Sequence, residues 1–310
     1  MKMANVRMTM WLMVMVSVVF GLGLPEAQAT VVFNDGGTHT VDWAIYDYVW
    51  VRNSTLSQPT TLNLATGGFI SQCLDIYDSS RANVSGGSIH HSLDAYDSSQ
   101  VNISGGSFGG SLIADFSSQV RISGVSIDES LFAYKNSQVS ISGGSIHHSL
   151  IAYEYSQVSI SGGSISEDLL ASGNNQVSIS GGSIGGGLNV YAFSQANISG
   201  GSIGGGLYAL NSSQITIYGS GFNYPYGTLT GRGLLTGTLA SGEIINNAFY
   251  VYSNARIVLV PEPSTLSILA LGGLVLCRFR CSRSSYCISS SPSTGAKSFC
   301  CTFLSGVVHR

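Results

Sequence analysis

The stretch Gln100-Val101-Asn102-Ile103-Ser104-Gly105-Gly106-Ser107-Phe108-Gly109-Gly110-Ser111-Leu112-Ile113-Ala114-Asp115-Phe116-Ser117-Ser118 is one unit of a repeated pattern. Ser104 recurs in steps of nineteen as Ser85, Ser123, Ser142, Ser161, Ser180 and Ser199, each followed by Gly. Thr66 and Tyr218 extend the register by one unit at each end, and no unit between them gains or loses a residue. A fixed period held without indels marks a solenoid. Val101 and Ile103 alternate with polar residues as a half-buried strand does; Leu112 and Ala114 do so for a second strand, and Phe108 adds a third inward position. The columns persist as Ile103, Ile122, Ile141, Ile160, Ile179, Ile198 and Ile217, and as Leu93, Leu112, Leu131, Leu150, Leu169, Leu188 and Leu207. A helix-pair repeat needs about 33 residues and would not tolerate two glycines per unit.

The reading is an all-β, single-stranded parallel β-solenoid, or β-helix, of 19-residue coils, with a right-handed coil expected from strand twist. Eight or so coils at the sheet spacing make a rod about 40 Å long. The first Gly of each pair, from Gly67 to Gly219, never varies within the chain, which predicts a corner of positive φ there. Residues 66–222 are the repeats. Residues 30–65 read as strand-like but out of register, an N-terminal cap; residues 223–260 read as turns and short strands, a C-terminal cap ending in Ile257-Val258-Leu259-Val260.

Composition bounds the function. Of 310 residues, 44% are hydrophobic and only 9% charged, with 39 glycines, yet the apolar residues recur in register and so argue for packed strands rather than disorder. Thr30 to Pro263 holds 15 Asp plus Glu against 6 Lys plus Arg, a net of −9, which argues against a nucleic-acid partner. Cys73 stands alone in the repeats while Cys277, Cys281, Cys287, Cys300 and Cys301 crowd the C-terminus; no pair shows the CxxC spacing of a zinc site, and disulfides are not expected to carry this fold.

The two ends carry an address. Lys2 and Arg7 precede an apolar run from Met8 to Leu24, and Ala27 and Ala29 offer the small residues of a signal-peptidase site, so residues 1–29 read as a signal peptide. At the other end Pro261-Glu262-Pro263 is followed by an apolar stretch from Leu266 to Cys277 and then by Arg278-Phe279-Arg280. Residues 261–280 resemble the PEP-CTERM sorting signal: a Pro-Glu-Pro motif, a short membrane helix and a basic stop at Arg278 and Arg280. The resemblance implies recognition by an exosortase, an inner-membrane protease that cuts near the motif. The protein would be membrane-anchored before processing, then released to the cell surface or extracellular matrix, with exopolysaccharide as a partner. The prolines are expected to hold an extended, unpaired backbone for the protease. Family signals end at the basic cluster, whereas residues 281–310 continue here as a Ser- and Cys-rich tail. Asn102 and Asn197 satisfy the glycosylation sequon, but the resemblance implies a bacterium, so they are not read as glycan sites.

Candidate chemistry is sparse. His90-His91 and His147-His148 lie 57 residues apart, three coils or about 14 Å, too far to share a metal. His147 and His148 do have Asp128 and Glu129 one coil before them and Glu167, then Asp168, one coil after, an acid–imidazole–acid patch that suits a divalent metal or weak pH sensing. The plainer reading is a solvated turn with surface ion pairs. Tyr77, Tyr96, Tyr134, Tyr153 and Tyr191 form a broken column that would either stack on sugar rings or pack on one another to cover a corner. Polysaccharide lyases and hydrolases are often β-helices, but their sites need paired carboxylates or a base with basic partners in a cleft walled by irregular loops. Here the turns are uniform, Arg81, Arg121 and Lys135 are scattered, and no cofactor cradle is present in the sequence. The expectation is a non-enzymatic structural or adhesive protein without a cofactor; a carbohydrate-binding module using the tyrosines is the alternative.

Overall fold

The computed structural model describes residues 30–54 and 57–262. The signal-peptide site at Ala27 and Ala29, and the tail from Pro263 with Arg278 and Arg280, lie outside the described residues. Within them the chain forms 31 strands and no helix, stacked as a parallel β-solenoid. Each coil has three faces. In the coil quoted above these are Gln100–Ile103, Ser107–Phe108 and Leu112–Ala114, and each pairs in parallel with its equivalent nineteen residues away on either side.

The inward positions are those the period marked. Val101, Ile103, Phe108, Leu112 and Ala114 are all buried, and so is the whole isoleucine column to Ile217 and the leucine column to Leu207. Each buried Ile or Leu contributes roughly 1.5–3 kcal/mol of apolar transfer. In-register stacking places most of these side chains on their own kind in the next coil, so one well-packed coil helps to specify its neighbours.

A second inward column is polar. Thr60, Ser80, Ser99, Ser118, Ser137, Ser156, Asn175, Ser194 and Ser213 occupy the corner just before the first face and are all buried. A serine is small enough for that tight corner. The hydroxyls of Ser99, Ser118 and Ser137 have no hydrogen-bond partner among the described residues, whereas Asn175 is fully engaged: its Oδ1 accepts from the backbone N–H and the hydroxyl of Ser156 at 2.9 and 3.1 Å. Its Nδ2 donates to the carbonyls of Ala152 and Ser172, both at 2.7 Å. At this one coil the buried carbonyls of Ala152 and Ser172 thereby find a side-chain donor.

Residues 30–64 join the same ladders with longer turns. Thr38 pairs with Thr61 and Thr61 with Arg81, while Thr30–Phe33 pairs with Tyr48–Val51 and Val49 with Leu74. The extra residues leave the coil at its turns, so the strands stack although the 19-residue period is broken. At the other end the ladders run on into Arg256–Pro261 and the end of Ile244–Tyr252. Two strands then reverse direction: Gly227–Leu229 pairs antiparallel with Leu259 to Ile257, and Gly231–Leu239 antiparallel with Ile244–Tyr252. They occupy hydrogen-bonding edges that would otherwise accept another strand. Phe222 and Tyr224 pack against the core there.

The glycine corner differs from the sequence expectation. Across the regular coils the left-handed conformation belongs to the second glycine, as in Gly87, Gly106, Gly144, Gly163, Gly182 and Gly201, and among first glycines only Gly67 has it. The first glycine is invariant for a different reason. A Cβ on Gly143 or Gly162 would lie 2.3 Å from the carbonyl oxygen of Ser123 or Ser142 in the coil before. Close coil stacking demands the first glycine, and backbone conformation favours the second. Val125 stands at the second position in one coil, and its backbone is not left-handed.

Candidate functional site

The tyrosine column lies on the outside of the third face. Tyr77 and Tyr96 stack with ring centroids 5.1 Å apart and planes 11° from parallel; Tyr134 and Tyr153 stack at 5.8 Å and 5°. Phe132 lies beside Tyr134, also parallel, at 5.8 Å. Tyr191 faces Ser172 in register, so that neighbour carries no ring. All five are half-buried. Ring faces spent on one another are not open to a sugar, so the Tyr77–Tyr96 and Tyr134–Tyr153 pairs cover and rigidify the corner.

Beneath the first pair sit two carboxylates that the sequence reading passed over. Asp75 and Asp94 are register partners in adjacent coils, and each accepts from the hydroxyl of the tyrosine two residues on, Tyr77 at 3.2 Å and Tyr96 at 3.5 Å. Arg52 covers this end, its guanidinium 4.5 Å from the Trp50 ring and 4.7 Å from Tyr77. Burial, and then the negative charge of Asp75, push the Asp94 carboxyl up from 3.8 to about 6. Burial also raises Asp75, and burial with the adjacent carboxylates raises both tyrosine hydroxyls. Both acids project from one flat face beneath their tyrosines and do not flank an open cleft.

The histidine patch separates into two pairs. His147 Nδ1 lies 3.3 Å from Asp128 Oδ1, and His148 Nδ1 lies 3.8 Å from Glu167 Oε1, with all four side chains exposed. Glu129 turns away to accept from the Ser111 hydroxyl at 2.9 Å, and Asp168 accepts from the Gly187 N–H at 2.6 Å. Among the described residues no three His, Cys, Asp or Glu side chains gather as a metal site. His90 and His91 meet edge to face. Exposed pairs of this kind are worth little.

Pro261 closes the last strand, Arg256–Pro261, opposite Gly219, and the Ser220 hydroxyl donates to Glu262 Oε1 at 3.2 Å. The expected unpaired backbone therefore does not begin at Pro261, which is extended but lies within the ladder; its missing N–H costs least at the end of a strand.

The most uneven surface is the corner after the third face, where residue types vary from coil to coil. Asp78 and Asp97 are left-handed there, and from Phe116 onward two consecutive residues are. They are Phe116 and Ser117, Lys135 and Asn136, Glu154 and Tyr155, Gly173 and Asn174, Ala192 and Phe193, and Asn211 and Ser212. From Ser117 to Phe193 the second of each pair donates its N–H to the next coil, as Ser117 does to the Lys135 carbonyl and Asn136 to that of Glu154. A left-handed non-glycine residue costs roughly 1–2 kcal/mol, least for Asn and Asp. Three aromatics bear that cost here while exposed: Phe116 at 49%, Tyr155 at 60% and Phe193 at 64%. In the earlier coils the acid at this corner serves the backbone, Asp97 accepting from the Asp78 N–H and Asp78 from the Asn53 N–H. In the next coil Asp115 takes over, accepting from the Phe116 N–H at 2.8 Å, and position 116 is released to carry a ring.

An open groove of about 710 Å³ runs along this corner, lined by Asp97, Phe116, Lys135, Asn136, Glu154 and Tyr155 among others. The Lys135 ammonium sits 3.9 Å from the centre of the Phe116 ring and 3.5 Å from Asp115 Oδ2. A volume of this size suits a small ligand or a few residues of a polymer. Comparison with family models, with characterised proteins and with solved structures gives no match for the chain.

Proposed function

We propose that the protein is an exported, non-enzymatic structural or adhesive element of the cell envelope or exopolysaccharide matrix, processed by an exosortase at Pro261-Glu262-Pro263. The observation that carries the reading is the join between body and motif: the ladders run without a linker into Pro261, and the motif follows directly. A rigid rod that ends where its sorting signal begins suits an architectural part delivered whole. Support for a non-catalytic role comes from the turns, which are short and uniform through the repeats and leave no loop-walled cleft.

The test is production of the full chain in a bacterium with and without an exosortase, followed by intact mass and epitopes at both ends. Loss of the C-terminal epitope only when the protease is present, and its retention in a Pro261→Ala, Glu262→Ala, Pro263→Ala variant, is the expected result. A tail kept in the presence of the exosortase would sink the sorting claim. Depolymerisation of an acidic polysaccharide by the purified protein would replace the structural role with an enzymatic one.

A further inference from the structure

The geometry points to the groove at Phe116, Tyr155 and Asn136 as a binding site for a neutral, extended glycan chain lying along the solenoid axis. This deepens the matrix reading above by naming the ligand class, and rests on that reading for its biological setting.

The first argument is that the fold does not call for these rings. Equivalent positions are filled by Asp97 and Asn211 in the column of Phe116, and by Ser117, Asn136, Asn174 and Ser212 in the column of Tyr155 and Phe193. Those residues suit a left-handed corner better and expose no apolar surface. Neither burial nor conformation explains a Phe or Tyr here, and strain held at an exposed site is where ligand contacts concentrate.

The second argument is spacing. Tyr155 lines the groove, and Phe193 lies beyond its lining, two coils further along the same column and roughly 9.6 Å away at the sheet spacing, where a chain leaving the groove along the axis would reach it. That advance is close to that of two residues in an extended β-linked hexose chain. Asn136 and Asn174 alternate with the rings in the same column, so each aromatic platform is preceded by an amide able to donate to and accept from ring hydroxyls. Aromatic platforms with interleaved amides suit a saccharide, whose ring presents C–H groups on its faces and hydroxyls at its rim.

Charge selects among saccharides. Lys135 is already engaged by Asp115 and by the Phe116 ring, which leaves Asp97 and Glu154 as the groove's remaining charges. A polyuronate would meet like charge, and a neutral chain would not. Asp97 and Glu154 stand three coils apart, about 14 Å, beyond the span at which two carboxylates hydrolyse a glycosidic bond. The groove therefore holds a chain without cutting it.

The experiment is titration calorimetry of the full-length protein with cellohexaose, laminarihexaose and polygalacturonate, repeated on a Tyr155→Asn, Phe193→Asn variant and on Tyr134→Ala. Wild type should bind cellohexaose in the submillimolar range. The double Asn variant should lose about tenfold or more in affinity, with a thermal midpoint that holds or rises, since Asn accepts the left-handed corner. Tyr134→Ala should lower the midpoint and leave affinity within about twofold. Absence of binding to both neutral hexamers, tighter binding of polygalacturonate, or unchanged affinity in the double variant would each overturn the proposal. None of these outcomes touches the processing assay, so failure here is separable from failure of the sorting claim.

Discussion

Two corners of the same coil both place residues in the left-handed region, and they do so under opposite constraints. At the Ser-Gly-Gly corner each turn lies directly against the one before, and a Cβ on the first glycine meets a carbonyl oxygen at 2.9 Å or less through Gly105, Gly124, Gly143, Gly162, Gly181 and Gly200. At the corner after the third face the side chains point outward, and Asp, Phe, Lys, Glu, Gly, Ala and Asn all occur at the first left-handed position. Packing fixes the residue type in one place and leaves it open in the other. Selection for a ligand can act only where the fold is permissive, so the variable corner is where chemistry accumulates.

That contrast is open to attack by substitution. Gly162→Ala should be the most damaging change, costing about 3 kcal/mol or more, because the coil before must be displaced; a denaturant midpoint lowered with an unchanged slope would show it. A neutral result there would mean that coil stacking is looser than the Ser142 contact implies. Asn175→Ala comes next, at about 2 kcal/mol, since the Ala152 and Ser172 carbonyls and the Ser156 N–H lose partners inside the core. Tyr155→Asn at the permissive corner should stay within about 0.5 kcal/mol of wild type or gain slightly, and a large loss would show that the ring is structural.

The smallest effect depends on pH. Asp94 titrates near 6 in the fold against an ordinary 3.8, so the folded state keeps a proton that the unfolded chain gives up. Its contribution is complete below about pH 3.8 and is lost as pH climbs through about 6. Asp94→Asn should match wild type near the acid end and be more stable above pH 6, a difference that melting curves across that window would detect. Equal melting of the two proteins at every pH would mean that Asp94 is not held neutral.

The permissive corner also explains what could be read from the amino-acid sequence. The isoleucine and leucine columns were legible because burial repeats the same demand every nineteen residues. The buried serines were hidden by their type: Ser99 or Ser137 beside Gln and Val reads as a turn residue, and only the tightness of the corner turns it inward. The first glycine was correctly singled out, but its invariance reflects the stacked carbonyl and not its own φ. Phe116, Tyr155 and Phe193 escaped notice because a solvent-facing turn imposes no periodic requirement. The aromatics fall between Asp, Asn and Ser and resemble noise, whereas the tyrosine column, though broken at Asp115 and Ser172, shows in adjacent coils where its rings pack on one another. Asp75 and Asp94 gave no signal, since two acids one coil apart look like solvated surface until the tyrosines are seen to cover them.

The parallel ladders have a mechanical consequence. All their hydrogen bonds between coils run along the rod, so a pull on its ends loads them coil by coil instead of shearing a whole sheet at once. Each coil that peels away lengthens the chain by about 60 Å, nineteen residues of extended backbone less one sheet spacing. Single-molecule extension of the protein should give a regular train of small steps of that length, and a single large rupture would contradict it. Under tension such a rod dissipates work in increments and refolds on the template of the coil still standing.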